Sequence, residues 1–243
     1  MRRWLWLLAG ILILSACSRD KNLIETPVLQ AYTPQAITGF AAPLRPAIIN
    51  TPTNPDFPGL ILESLTCTEN ITQGLACLGW VNNPLAVAYQ NVTVEIQLLD
   101  EANQIIETQT GTIARDWLPA DSGAPFRILF ASTPDTPVTP IGTLTTADPV
   151  RESLTLTALS TENIQTEQVA GTVTVSGEVL NPTEQRIEPV SIVITARDSS
   201  GTVLGFRVLA VEQLTSQART AFLTTLGVSS TVTLEVTADG YLR

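Results

Sequence analysis

The 243-residue chain contains no histidine, a single lysine (Lys21) and a single methionine, and only 5% of its residues are aromatic. Without histidine there is no Ser-His-Asp or Cys-His catalytic set and no imidazole ligand for zinc. With Lys21 the only lysine, a P-loop lysine on phosphate and a Ser-Lys dyad in a folded core are excluded too. Positive charge is also scarce: 13 Lys+Arg stand against 23 Asp+Glu, and the pI is near 4.4. Nucleic acid is therefore excluded as a partner, because neutralising its phosphates takes clustered Lys and Arg. The N-terminal apolar run, Trp4 to Leu14, has 11 residues. A bilayer span needs about 20.

That short run has a different use. Arg2 and Arg3 precede it, and Leu14-Ser15-Ala16-Cys17 follows. A positive start, a short apolar stretch and small residues before a cut site are the parts of a secretory signal. The tetrapeptide resembles the lipobox of bacterial lipoproteins. The resemblance implies a signal peptide over residues 1–16, cleavage before Cys17, and diacylglycerol on the Cys17 thiol as the one covalent group, with no other cofactor. It also implies an extracytoplasmic protein held to a bacterial membrane by lipid. The mature chain would keep 11 basic and 23 acidic side chains, a formal −12. So acidic a body is repelled by anionic headgroups, which leaves the acyl chains to make the membrane contact.

Residues 17–59 contain Pro27, Pro34, Pro43, Pro46, Pro52, Pro55 and Pro58. Prolines at this density interrupt helices and central strands, so a lipidated, extended tether is expected. Ala47-Ile48-Ile49 is too isolated to seed a core. A flexible coil of this length averages about 35 Å end to end, and full extension reaches on the order of 130 Å. The rival reading is a segment packed onto the first folded unit.

Self-comparison finds an internal repeat. At an offset of 98, Gly79-Trp80-Val81-Asn82-Asn83-Pro84 lies over Gly177-Glu178-Val179-Leu180-Asn181-Pro182. Val92-Thr93-Val94-Glu95-Ile96 lies over Val190-Ser191-Ile192-Val193-Ile194, and Asp100 over Asp198. Leu118 and Phe126 match Leu214 and Phe222 after a two-residue deletion. Upstream, Glu63-Ser64-Leu65-Thr66 echoes Glu152-Ser153-Leu154-Thr155. Val92, Val94, Ile96 and Leu98 alternate with more polar neighbours, as do Val190, Ile192, Ile194 and Ala196. A period of two predicts strands with one buried face. Asp100 to Asn103 and Asp198 to Gly201 read as matching hairpin turns, with a residue tolerant of left-handed backbone at the fourth place of each. Asn83-Pro84 and Asn181-Pro182 mark a second shared turn. The expectation is all-β: two tandem Ig-like antiparallel sandwiches, over residues 60–131 and 150–243. Residues 132–149, with Pro134, Pro137, Pro140 and Pro149, read as the linker between them.

The pattern of Gly-x-Val-x-Asn, a Val-rich strand ending in an acidic turn, and a Leu…Pro-Phe strand resembles the FxLYD domain of bacterial extracytoplasmic proteins. The naming motif falls on Ile96-Gln97-Leu98-Leu99-Asp100, where Ile96 and Leu99 replace the aromatics. In the second copy, Ile194-Thr195-Ala196-Arg197-Asp198 keeps only the aspartate. The resemblance spans about residues 62–131 and 152–226. It implies an immunoglobulin-like sandwich and carries no known activity.

Two cysteines remain after Cys17. Cys67 aligns with Leu156 and Cys77 with Val175, so both are expected at inward strand positions. An oxidising setting favours a disulfide between them, and two buried thiols are the alternative.

Asp121-Ser122-Gly123-Ala124 resembles the signature of retroviral-type aspartic proteases. The second copy offers Gln217-Ala218-Arg219-Thr220 there, so the paired carboxylate is missing and a turn before a strand is expected. No spacing among the acids selects a glycosidase pair. Asp100, Glu101 and Asn103 could offer oxygens to Ca²⁺, but a hairpin turn accounts for them, and no metal site is expected. Asn70-Ile71-Thr72 and Asn91-Val92-Thr93 are sequons only for a eukaryotic secretory route.

Strand parity points Trp80 outward, with Leu78 and Leu99 on outward positions as well. An outward aromatic among apolar neighbours marks either a docking patch for a protein or sugar ring, or a contact with the linker or the second sandwich. The expected role is a non-enzymatic spacer or binding subunit in an envelope assembly. The alternative is a carbohydrate- or wall-binding module that uses Trp80 and Trp117.

Overall fold

The structure is a computed structural model that describes residues 48–49, 59–69, 74–150, 156–228 and 231–243. The first sandwich comprises β1 (Ile48–Ile49), β2 (Ile61–Glu69), β3 (Leu75–Asn83), β4 (Tyr89–Leu99), β5 (Ile105–Thr112), β6 (Trp117–Leu118), β7 (Ser122–Phe130) and β8 (Thr139–Pro149). The second comprises β9 (Leu156–Ala158), β10 (Ser160–Val169), β11 (Thr172–Leu180), β12 (Ile187–Arg197), β13 (Val203–Val211), β14 (Arg219–Gly227) and β15 (Thr233–Leu242). Among the described residues no helix is long and apolar enough to cross a membrane.

The fold is all-β and consistent with Ig-like sandwiches. In the first, a β2-β3-β7 sheet faces a β1-β8-β4-β5 sheet, with β6 paired to β4. In the second, β10-β11-β14 faces β13-β12-β15-β9. Among the described residues, only the β1–β8 pairing is parallel. The alternating residues of β4 and β12 reach the interior as expected: Val92, Val94, Ile96 and Leu98 join one core, and Val190, Ile192, Ile194 and Ala196 the other. Each Val, Ile or Leu among them contributes roughly 1.5–3 kcal/mol of apolar burial. The repeat's glycines have a packing reason. A Cβ on Gly79 would overlap the Phe126 ring, and one on Gly177 would press on Phe222 and Ile164.

The shared turns repeat atom for atom. Asp100 Oδ1 accepts from the Ala102 and Gln104 N–H groups, and Asp198 Oδ1 from those of Ser200 and Thr202, at 2.8–2.9 Å. Asn103 (φ 58°) and Gly201 (φ 84°) take the left-handed position. At the other turn, Asn83 Nδ2 donates to the carbonyls of Val87, Leu118 and Pro119. Asn181 Nδ2 donates to those of Gln185, Leu214 and Thr215. Asn83 Oδ1 accepts from Leu85 N–H and Asn181 Oδ1 from Thr183 N–H. Each asparagine thus ties its turn to the β6 region, or its counterpart around Leu214, from a fully buried position.

Three expectations need correction. Residues 132–149 are not the linker between the sandwiches, because Thr139–Pro149 forms β8 of the first one, between β4 and β1. Its prolines stand near the strand's start (Pro140) and at its last residue (Pro149), where a missing ladder donor is tolerated. The proline-rich segment before the first sandwich is not wholly a spacer either, since Ile48 and Ile49 pair with Ile141 and Gly142. Finally, Cys67 does not correspond to Leu156. Cys77 sits opposite Cys67, and its counterpart Val175 sits opposite Thr166, so Thr166 is the structural match. Residues 152–155 and the signal and lipidation site around Cys17 lie outside the described residues.

Candidate functional site

The densest set of charged and aromatic contacts lies where the sandwiches meet. Trp80 points away from its own core, as strand parity required, yet it is only 4% exposed. The Arg197 guanidinium of the second sandwich lies over its ring at 4.4 Å from the centroid. Its indole also lies against Gly123 of β7, where a Cβ would overlap it. Trp80 is therefore not an exposed docking residue: the second sandwich covers the face it projects from. Arg197 also reaches Glu63 (3.5 Å) and Glu235 (4.0 Å) and donates from Nε to the Gly201 carbonyl.

Arg115 and Asp239 form the joint's most buried contact. Nε donates to Oδ2 at 2.7 Å and Nη2 to Oδ1 at 2.6 Å, while Nη1 donates to the Gly123 carbonyl. Their side chains are 4% and 5% exposed. The two-pronged fit of guanidinium on carboxylate fixes orientation as well as distance. Next to this pair the Tyr241 hydroxyl hydrogen-bonds Asp116, and burial with the Asp116 charge pushes the Tyr241 phenol upward. Arg127 lies 5.7 Å from the Phe206 ring centroid. Val193 and Thr195, on the face of β12 turned away from the second core, are nonetheless buried.

Every one of these contacts uses a residue that the two copies do not share. Trp80 corresponds to Glu178, Arg197 to Leu99, Val193 to Glu95 and Thr195 to Gln97. The Thr93↔Thr146 and Ser191↔Asp239 pairs match Asp239 to Thr146, and the Gln97↔Ile141 and Thr195↔Glu235 pairs match Glu235 to Ile141. The copies diverge where they face each other.

Glu235 makes the joint sensitive to pH. Burial raises its carboxyl above the ordinary value, against the pull of Arg197 and Arg115 and with a further push from Glu63. A raised folded-state pKa stabilises below the ordinary carboxylate value, and that contribution is lost as pH rises through the raised one. Thermal melts of Glu235→Gln and wild type from pH 4 to pH 7 should therefore move in the variant's favour as pH rises. A shift toward wild type would mean that attraction to Arg197 outweighs burial.

The other sequence-derived residues fall elsewhere. Cys67 and Cys77 pair directly across β2 and β3 in a disulfide, with Cα atoms 4.0 Å apart. Closing so short a loop contributes about 3 kcal/mol in the chain-entropy model. Trp117 is half-buried on β6, against the sheet opposite Trp80, and its Nε1 is buried without a hydrogen-bond partner. The two tryptophans do not form one platform. Asp121 is exposed with φ 50° and ends a turn, Ser122 Oγ donates to the Pro119 carbonyl, and Ser122, Gly123 and Ala124 open β7, paired with Asn83, Asn82 and Val81. Asp100 Oδ1 is taken up by backbone N–H groups. Among the described residues, no group of three or more His, Cys, Asp or Glu could hold a metal ion. The joint itself was legible only as the outward Trp80. Its partners could have been found by asking which outward positions change character between the copies, as Glu95 to Val193 does.

No family model matches the chain, and no curated protein matches it. Among solved structures it is similar to red sea bream transglutaminase at 11% identity and a TM-score of 0.25, over 76% of this chain and 29% of the other.

Proposed function

We propose that this chain is a lipid-anchored, extracytoplasmic protein of the bacterial envelope that acts without enzymatic chemistry. Its paired FxLYD-like sandwiches serve as a stiff spacer or adaptor for an envelope partner. The lipobox-like Leu14-Ser15-Ala16-Cys17 supports the anchor, and the proline-rich residues that follow support a stand-off from the membrane. The observation that carries the spacer reading is the buried Arg115–Asp239 pair. A guanidinium held in two-pronged contact with a carboxylate of the other sandwich, both out of water, fixes the orientation of one sandwich on the other. A carbohydrate-binding reading loses its main residue, because Trp80 lies beneath Arg197.

Intact mass and membrane fractionation of wild type and Cys17→Ala test the anchor. The expected wild type begins at Cys17, carries a diacylglycerol-sized adduct and sediments with membranes. The expected variant lacks the adduct and is soluble or unprocessed. Wild type at full precursor mass would overturn both the lipidation and the extracytoplasmic placement.

A further inference from the structure

We infer that Arg127 of the first sandwich and Arg207 of the second form a binding site for a phosphate group, built at the joint around the Phe206 ring. The Arg127 guanidinium lies over that ring, 5.7 Å from its centroid. An aromatic face holds a guanidinium in place without using up its hydrogen-bond donors. Arg207 follows Phe206 on β13, and its Nε donates to the Thr225 carbonyl of β14. The second sandwich thus positions both arginines, although only Arg207 belongs to it. Arg127 is exposed and Arg207 half-buried, so an ion can reach the pair from solvent.

The two guanidinium groups are close enough to act on each other. Burial and the Arg127 charge both push the Arg207 pKa down. An arginine keeps its proton against such pressure, so the cost stands as repulsion between two fixed cations. The residues beside them bring no negative charge. Across the ladders Arg127 faces Leu78 and Arg207 faces Ile194. Along the strands Arg127 stands between Phe126 and Ile128, and Arg207 between Phe206 and Val208. In a chain with 23 Asp+Glu against 13 Lys+Arg, this is a local reversal of charge. An anion between the two arginines turns one repulsion into two attractions.

The repeat shows that the sandwich fold does not need these residues. Gly79 pairs with Phe126 and Gly177 with Phe222, so Leu223 holds the place of Arg127 in the second copy. Ile96 pairs with Gln109 and Ile194 with Arg207, so Gln109 holds the place of Arg207 in the first. By the same register Thr108 stands for Phe206. The chemistry selects phosphate. One guanidinium satisfies a carboxylate, as Arg115 does Asp239. A phosphate monoester carries about −1.5 to −2 at neutral pH and three strong acceptor oxygens, which matches two guanidinium groups in charge and in donors.

Titration of the full chain with inorganic phosphate, against sodium chloride at equal ionic strength, tests this through the arginine Nε–Hε NMR signals. The Arg127 and Arg207 signals should shift saturably with phosphate, while those of Arg186 and Arg219 stay in place. Arg127→Leu and Arg207→Gln, each the residue that the other copy carries there, should each weaken phosphate binding at least tenfold. Shifts that chloride reproduces, that do not saturate, or that survive both variants overturn the site. Phosphatidylcholine vesicles carrying phosphatidic acid identify the source. Binding tighter than that of inorganic phosphate assigns the site to a lipid headgroup, and binding no tighter assigns it to phosphate in solution.

Discussion

Replacing Arg115 by alanine is expected to lower stability by about 3–5 kcal/mol, because it leaves the Asp239 carboxylate buried without its counter-charge. Both Asp239 oxygens accept from Arg115, and the side chain is 5% exposed, so water cannot take over. The loss is comparable with much of the stability of an ordinary domain. Denaturant unfolding should change from one transition to two, as the sandwiches uncouple. Removing both charges together, in Arg115→Met with Asp239→Leu, should recover most of the loss, since the strain lies in the unpaired charge and not in the missing bond. A single-variant loss below about 1 kcal/mol, the range of an exposed pair, would mean that the joint opens freely to water.

The second large effect is expected at the repeated asparagine. Asn83→Ala removes the donor shared by three carbonyls and the acceptor for Leu85 N–H, in a fully buried site. The expected cost is about 3 kcal/mol, since buried polar groups left unpaired cost more than the net value of the bonds that held them. Asn181→Ala should behave alike in the second sandwich, where the same three-carbonyl pattern recurs. Asn83→Asp should be worse at neutral pH than at pH 4, because an ionised carboxylate would face the carbonyls of Val87, Leu118 and Pro119. Thermal melts of the three variants check this, and a loss under about 0.5 kcal/mol would show that the amide is not the tie.

The same asparagines explain how much of the fold was legible in the sequence. A device that needs one residue type at one place, such as Asn83 with Asn181 or Asp100 with Asp198, survives duplication and shows as a repeat. The alternating strands β4 and β12 were legible because each buries one face and turns the other outward. β8 was not, because Pro140 and Pro149 read as breakers, although both fall at strand ends where no donor is needed. β1 was not, because two residues carry no periodicity; only the neighbouring edge of β8 defines them. The counterpart of Cys67 was misplaced because Thr161 and Thr166 had replaced the apolar residues of β2, leaving β10 without an inward pattern to align. Trp80 was read correctly as outward, but parity within one sandwich says nothing about what the next sandwich covers.

Residual dipolar couplings on the full chain test the stiffness of the joint most directly. With Arg115–Asp239 closed and Arg197 seated on Trp80, amides of both sandwiches should fit one alignment tensor. Two tensors of different magnitude would show independent tumbling, and the paired sandwiches could not then serve as a stiff spacer.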